Sequence, residues 1–414
     1  MVKSKSSFKS VLPYALVVFL GYLGFAMPLP ILPEMFLDPE VGIFASTMSR
    51  FAKTVWLGIV MSAYPLGQFL GAPILGRFSD HIGRKKVILC SLCGSMISYL
   101  ITAFATELRD VSWIFMGLFL CGLCEGNVAI AQSVVADIAH VQGHGHKAKH
   151  LGWLNLFACF AFVIGPILGG QLSDPDLGSL GRFSTPFWVA AGITLLSMGI
   201  IWLFSQETKP QSTTQISFSW KAYKQLYQEV RHSVMYRLLL VNFLLAMGYY
   251  SYFRFFPVYI EYRFSLDSAM LGYIIAYGSM TFALFSLCFL KKIGAWLSPK
   301  HAVGLFASVL ACSLILLLWP SSPLALLGTM LPINLALAVI MTYSAMLISE
   351  ASSAEHQGRA FGLLTSVQVL AEVMTGLIGG VLAGFIVYLP IIFGACFLFL
   401  GAGVLLRPSH KEHF

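Results

Sequence analysis

The sequence predicts an all-α integral membrane protein of twelve transmembrane helices, and three observations carry that prediction. Apolar residues make up 57% of the 414 positions and charged residues only 11%, well below the roughly 25% of soluble domains. A surface so poor in charge needs lipid as its main solvent. The apolar residues also fall into runs of the roughly 20 residues that a spanning helix requires. Finally, Lys and Arg collect on alternate connections between these runs, as the positive-inside rule requires.

The predicted spans cover residues 11–33, 54–76, 86–106, 111–137, 150–171, 185–204, 236–260, 268–290, 300–319, 323–348, 358–383 and 387–406. The first is too long for a signal peptide, contains Pro28, Pro30 and Pro33, and is followed by no small-residue cleavage site. With both termini placed in the cytoplasm, only Arg50, Lys53, Arg109, Arg182 and Arg263 of the 26 Lys and Arg fall on outer connections, and Arg254 lies inside the seventh span. An odd number of spans would have scrambled this bias. The net charge of +8, which in a soluble protein would suggest a nucleic-acid partner, is accounted for by the basic inner connections. Nucleic acid is therefore not an expected partner, and the bilayer is.

The segment 205–235 is polar and basic and divides the chain into halves of six spans each, residues 1–204 and 236–414. Trp220, Tyr223, Leu226, Tyr227 and Val230 within it follow helical spacing, which reads as a helix lying on the inner membrane surface. All eight cysteines fall in apolar runs. Cys90-x-x-Cys93 and Cys121-x-x-Cys124 imitate zinc spacing, but small buried residues are the expected role. His140, His144, His146 and His150 surround a glycine-containing inner loop, where incidental histidines are expected and a metal is not. No Gly-x-x-x-x-Gly-Lys-Ser/Thr pattern is present, so no nucleotide and no other cofactor is expected. No Ser–His–Asp or metal constellation with informative spacing appears, so the chain is not expected to be an enzyme.

One polar stretch is distinctive: Gly76-Arg77-Phe78-Ser79-Asp80-His81-Ile82-Gly83-Arg84-Lys85-Lys86, read as a loop between the second and third spans. Its glycines permit a tight turn, and Asp80 is an acceptor for backbone N–H groups or an arginine. The pattern Gly-x-x-x-Asp-x-x-Gly-Arg-Lys resembles the corresponding loop of the major facilitator superfamily, with Phe78 and His81 where leucine and arginine are usual. Gly165-Pro166-Ile167-Leu168-Gly169-Gly170 in the fifth span, preceded by Ala161 where glycine is usual, resembles the antiporter motif of the drug–proton exporters. Pro28-Leu29-Pro30-Ile31-Leu32-Pro33, Thr185-Pro186-Phe187-Trp188, Glu207-Thr208 and Gln357-Gly358-Arg359-Ala360-Phe361-Gly362 are similar to segments of the same group, which includes the 12-helix tetracycline exporters. The resemblance thus covers the whole chain.

The resemblance implies two pseudo-symmetric six-helix bundles around a central cavity, alternating access, a location in the inner (cytoplasmic) membrane and a monomer that works with a small-molecule substrate and protons. It further implies that Gly76, Asp80, Gly83 and Arg84 form a conformational latch, with Asp80 engaging the inner end of the eleventh span. The second half keeps the charge but not the aspartate, as Lys291-Lys292-Ile293-Gly294. The family's fourth span usually carries a buried arginine. Leu118 stands near that position here, and no Lys or Arg lies between Arg109 and Lys147, so that arginine's role in coupling does not carry over.

Three ionisable residues lie well inside predicted spans: Glu125 in the fourth, Arg254 in the seventh and Glu372 in the eleventh. Such residues cost several kcal/mol in hydrocarbon by most scales and commonly face a cavity or pair with one another. Glu125 and Glu372 are the candidate proton carriers, because a carboxyl removed from water can exchange protons near neutral pH. Cavity candidates are Arg254, Gln132, Tyr250, Gln368 and Asn334, with Arg254 able to select a carboxylate or phosphate. The aromatic crowd from Tyr249 to Phe256 would suit a bulky amphipathic or cationic substrate. The expected activity is proton-coupled export of a small organic molecule. The alternative is proton-coupled transport of an anionic metabolite or siderophore, in either direction, selected by Arg254.

Overall fold

Where hydrocarbon replaces water, a backbone must satisfy its own polar groups, and helices do so within one segment. In the computed structural model, which describes residues 8–38, 42–125, 127–142, 147–173, 183–205, 207, 234–352 and 357–407, all regular structure is accordingly α-helical. The helices are α1 (Phe8–Ala26), α2 (Ile31–Leu37), α3 (Arg50–Ile82), α4 (Arg84–Glu107), α5 (Val111–Leu123), α6 (Asn127–Gln142), α7 (Lys147–Leu172), α8 (Thr185–Phe204), α9 (Val234–Phe264), α10 (Ser268–Cys288), α11 (Leu290–Trp296), α12 (Pro299–Leu316), α13 (Pro323–Glu350), α14 (Gln357–Phe385) and α15 (Leu389–Leu406). Among the described residues, 11 spans are long and apolar enough to cross a membrane. The fourth predicted span is the remaining one, and it is split into α5 and α6. The polar segment predicted to lie on the inner surface falls outside the described residues from 208 to 233.

One sequence expectation is corrected and two predicted spans gain internal detail. The first span is interrupted after Ala26, where Met27–Pro30 form turns before α2 begins. Its prolines explain the break, since they lack the N–H that a continuing helix uses. The fourth span is interrupted at Cys124 and Glu125. The stretch 76–86 is not a loop: α3 continues through Gly76 to Ile82, and the whole turn into α4 is made at Gly83. Gly83 has φ +112° and ψ 144°, a conformation open essentially to glycine alone.

The chain divides into two compact units, one of Met1–Ser49, Ile59–Ile216 and Leu266–Ala276, the other of Arg50–Gly58, Ser217–Ser265 and Tyr277–Phe414. The first unit is cored by Val11 and Val18 of α1, Ile88 and Leu92 of α4, Val134 of α6, Leu154 of α7 and Ile201 of α8. In the second, α9 packs on α14 and α15, and α12 on α13 and α15. Gly248 of α9 and Gly394 of α15 bring those two backbones together, since a Cβ on Gly394 would lie 2.7 Å from the Gly248 carbonyl oxygen. Small residues at helix crossings are the expected device in lipid, where apolar burial alone does not draw helices together. Large apolar side chains such as Leu196, Trp202 and Phe204 of α8 are exposed, as suits helices solvated by acyl chains.

Some helix ends are closed by side chains from elsewhere in the chain. The Glu207 carboxylate accepts from the Arg84 backbone N–H at 2.8 Å and from that of Lys85 at 3.2 Å, capping α4. In return the Lys85 ammonium donates to the Trp202 and Ser205 carbonyls at 2.9 and 2.7 Å, closing the C-terminus of α8. Both charges have the sign that the helix dipole favours. In the second unit Arg237 of α9 donates to the Val404 carbonyl at 2.8 Å at the end of α15.

Gly83 and Gly76 should respond oppositely to alanine. A Cβ on Gly83 would meet Glu207 Oε2 at 2.5 Å, whereas one on Gly76 meets nothing within 4 Å. Gly83→Ala is expected to destabilise the purified protein by about 1–3 kcal/mol. Gly76→Ala, in a helix interior, should stabilise it by about 0.5–1 kcal/mol. Thermal melting in detergent reads both, and equal effects would contradict the one-residue turn.

Candidate functional site

Glu125 lies where the fourth span opens. The Cys124 N–H still reaches back to the Leu120 carbonyl at 3.0 Å, while that of Glu125 reaches only the Gly122 carbonyl, at 3.0 Å, in a tighter turn. The Ser91 hydroxyl of α4 donates to the Cys124 carbonyl, a side-chain bond of the kind that an opened helix needs in hydrocarbon. Glu125 is only partly buried, and the Tyr64 hydroxyl lies beside its carboxylate.

Glycines set that geometry. A Cβ on Gly122 would lie 1.9 Å from the Tyr64 carbonyl oxygen, one on Gly67 2.1 Å from that of Phe119, and one on Gly71 2.0 Å from that of Leu123. So α3 and α5 touch backbone to backbone, and Tyr64 is carried to the carboxylate one turn beyond Gly122. Aromatic rings complete the surroundings. Phe25 and Tyr64 have centroids 4.7 Å apart, and Tyr22 and Phe162 have centroids 5.2 Å apart. The Tyr99 hydroxyl reaches α1 at Gly24, where a Cβ would be 3.1 Å away. Sequence reasoning singled out none of Tyr22, Phe25, Tyr64, Tyr99 or Phe162 as site residues. The readable signal was Gly67-x-x-x-Gly71, a close-packing pattern in an apolar helix.

In the second unit, Arg254 of α9 donates to the Glu372 carboxylate of α14. Arg254 is 8% exposed, so its charge is met where water is scarce. Gln368 of α14 lies beside the Tyr249 hydroxyl, and Tyr249 packs on Tyr250, with centroids 4.7 Å apart. Tyr250 is half-buried. Asn334 of α13 is buried and donates to the Thr281 hydroxyl of α10 at 2.8 Å, a helix-to-helix link. Gln132 of α6 is exposed. The structure thus brings together Arg254 and Glu372, while Glu125 and Gln132 lie in the first unit.

The antiporter motif is a packing surface. A Cβ on Gly165 would lie 2.7 Å from that of Ala26, one on Gly169 1.9 Å from the Met27 carbonyl oxygen, and one on Gly170 2.3 Å from the Ser268 carbonyl oxygen. Gly272 of α10 leaves room in turn for the Pro166 carbonyl, 2.3 Å from its would-be Cβ. Beside them Glu34 of α2, 6% exposed, accepts from the Ser268 backbone N–H at 3.0 Å and from its hydroxyl. A carboxylate thus caps the first residue of α10 across 234 positions of chain. The break after Ala26 lets α2 turn Glu34 to this position.

Of the expected latch, Gly83 and the backbone of Arg84 meet Glu207, and Gly76 faces open space. The Asp80 side chain lies outside the described residues. So does most of the histidine-rich loop, whose His150 is buried and stacks on Trp153 at 5.2 Å. All eight cysteines are free.

Removing the Glu34 cap should expose its worth. Glu34→Ala leaves a buried Ser268 N–H unmet and is expected to destabilise the protein by about 1–3 kcal/mol. Ser268→Ala, which keeps the N–H bond, should do less. Melting temperatures of the two variants in the same detergent would contradict the cap if their order were reversed.

Comparison with known proteins follows from this architecture. The chain is 25% identical over 383 residues to the class E tetracycline resistance protein of Escherichia coli, covering 89% of this chain and 87% of that one. It is 22% identical over 401 residues to multidrug resistance protein 1 of Bacillus subtilis, covering 95% and 96%. The crystal structure of the human organic anion transporter MFSD10 (TETRAN) superposes with a TM-score of 0.71 at 22% identity, covering 96% of this chain and 99% of that one. Residues 14–373 match the family model of the Major Facilitator Superfamily. The twelve spans and these matches identify the chain as a multi-pass membrane transporter belonging to the Major Facilitator Superfamily.

Proposed function

We propose that this transporter exports a small organic molecule in exchange for protons, with Glu125 as the group that carries the proton. The observation that carries this reading is the placement of a partly buried carboxylate at a break in a spanning helix, beside the Tyr64 hydroxyl and among aromatic side chains. Interrupted helices are where secondary transporters hold coupling ions and substrates. The carboxylate's own span supplies no cation, since none lies between Arg109 and Lys147. An amphipathic or cationic substrate suits the same surroundings, because aromatic faces attract cations and bury apolar surface. Proton and substrate would then compete for Glu125, which yields exchange. The similarity to tetracycline and multidrug resistance proteins supports export. In this reading the two six-span halves alternate access, Asp80 latches the inner side, the chain lies in the inner membrane with its termini inside, and it works as a monomer.

A second reading rests on Arg254. Its charge is held by Glu372, so an anionic substrate gains access to it only when Glu372 is protonated. Anion and proton then bind together, which yields co-transport. The likeness to an organic anion transporter supports this reading.

Proteoliposomes with an imposed pH gradient test the first reading. Glu125→Gln is expected to abolish gradient-driven transport while retaining substrate exchange at equal pH and a normal melting temperature. Unchanged gradient-driven transport in that variant would sink the proposal. Glu372→Gln tests the second. It should raise affinity for anionic substrates several-fold and flatten its pH dependence, whereas Arg254→Ala abolishes anion binding. If both variants merely lower stability, by the roughly 3–5 kcal/mol typical of a broken buried pair, and leave charge selectivity alone, the pair is structural.

A further inference from the structure

The segment between α10 and α12 is built differently from the rest of the second unit. It forms the short helix α11, none of whose residues is buried, between the spans ending at Cys288 and starting at Pro299. It is nevertheless held firmly. The Tyr343 hydroxyl of α13 donates to the Leu290 carbonyl at 2.8 Å, and Gly294 lets the same hydroxyl approach to 2.4 Å of where a Cβ would stand. Leu290, Ile293 and Leu297 are half-buried on that side.

The other side carries Lys291, Lys292 and Trp296, all exposed, Trp296 to 89%. Lys292 and Trp296 are four residues apart and so share a face. Lys292 also lies over the Phe289 ring, 5.8 Å from its centroid. From Ser268 to Ser349 the sequence contains no Asp or Glu, while Lys291, Lys292, Lys300 and His301 all fall here. The local charge is therefore unbalanced by any acid of the same stretch. An exposed tryptophan beside lysines at a membrane face is the composition of an interfacial anchor, with the ring among the acyl–headgroup boundary and the ammonium groups at headgroup level.

We propose that α11 is a binding surface for the headgroup of an anionic phospholipid. Lys291 and Lys292 meet the phosphate, Trp296 seats beside the acyl chain, and Tyr343 with Gly294 holds the platform. The inference is independent of what the transporter carries and of its direction. It explains why the stretch keeps the basic residues of the first half's turn without its aspartate: the charge faces lipid rather than a helix end.

Native mass spectrometry of the full chain, purified in mild detergent with equal phosphatidylglycerol and phosphatidylethanolamine, tests it. Wild-type protein is expected to retain phosphatidylglycerol in preference. Lys291→Gln and Lys292→Gln should each lower that retention about fivefold, the effect of one basic residue at an anionic surface, and the double variant by more than tenfold. The single variants keep the test readable if the double variant does not fold. Lys3→Gln/Lys5→Gln, which removes equal charge elsewhere, should leave retention unchanged. Wild-type retention in the α11 variants, or an equal fall in the Lys3/Lys5 control, would overturn the proposal. So would displacement of the lipid by millimolar inorganic phosphate, which would mark a general anion site.

Discussion

Hydrocarbon offers no hydrogen bonds to a peptide group, and the main breaks and turns among the described residues are organised by that constraint. Several places where a described helix opens or ends are met by a side chain from elsewhere. Ser91 covers the Cys124 carbonyl at the break beside Glu125. Glu207 caps α4 after the turn at Gly83, and Lys85 returns the favour to α8. Glu34 caps α10, and Arg237 closes α15. Four of these five partners are charged, and each charge has the sign that suits the helix end it meets.

The same medium explains the glycines. Lipid tails are as apolar as leucine, so helices associate through close packing rather than through exclusion of water. Gly67, Gly71 and Gly122 bring α3 and α5 to backbone contact, and Gly165, Gly169 and Gly170 do likewise for α7. In the first case the contact has a chemical consequence, because it carries Tyr64 to Glu125. In the second it frames the capped start of α10. The antiporter motif, read from sequence as a mark of activity, acts structurally as a surface where three segments meet.

Much of the architecture was legible in the residues. Runs of about twenty apolar residues and the one-sided placement of Lys and Arg are local properties, and they located the spans to within a few residues. The stretch 76–86 was legible as a signature but not as a shape. Its polarity reads as a loop, yet the helix continues through it, because a single glycine at φ +112° makes the turn and Glu207 receives the freed N–H groups. Polarity reports exposure to water at a helix end as readily as it reports a loop. The break in the fourth span was likewise hidden, since an acidic residue inside an apolar run gives no sign of whether the backbone beneath it stays helical.

The sequence by itself determined the class of protein, the number and order of its spans, its family, and the three charges that need an explanation. These follow from composition and short patterns, which solvent selects residue by residue. Tertiary structure alone decided what those charges meet. Arg254 is paired with Glu372, 118 positions away, rather than with Glu125. Glu34, which drew no notice in the sequence, holds the start of α10 from 234 positions away. Such partnerships depend on which helix faces are brought together, and backbone contact at a handful of glycines settles that.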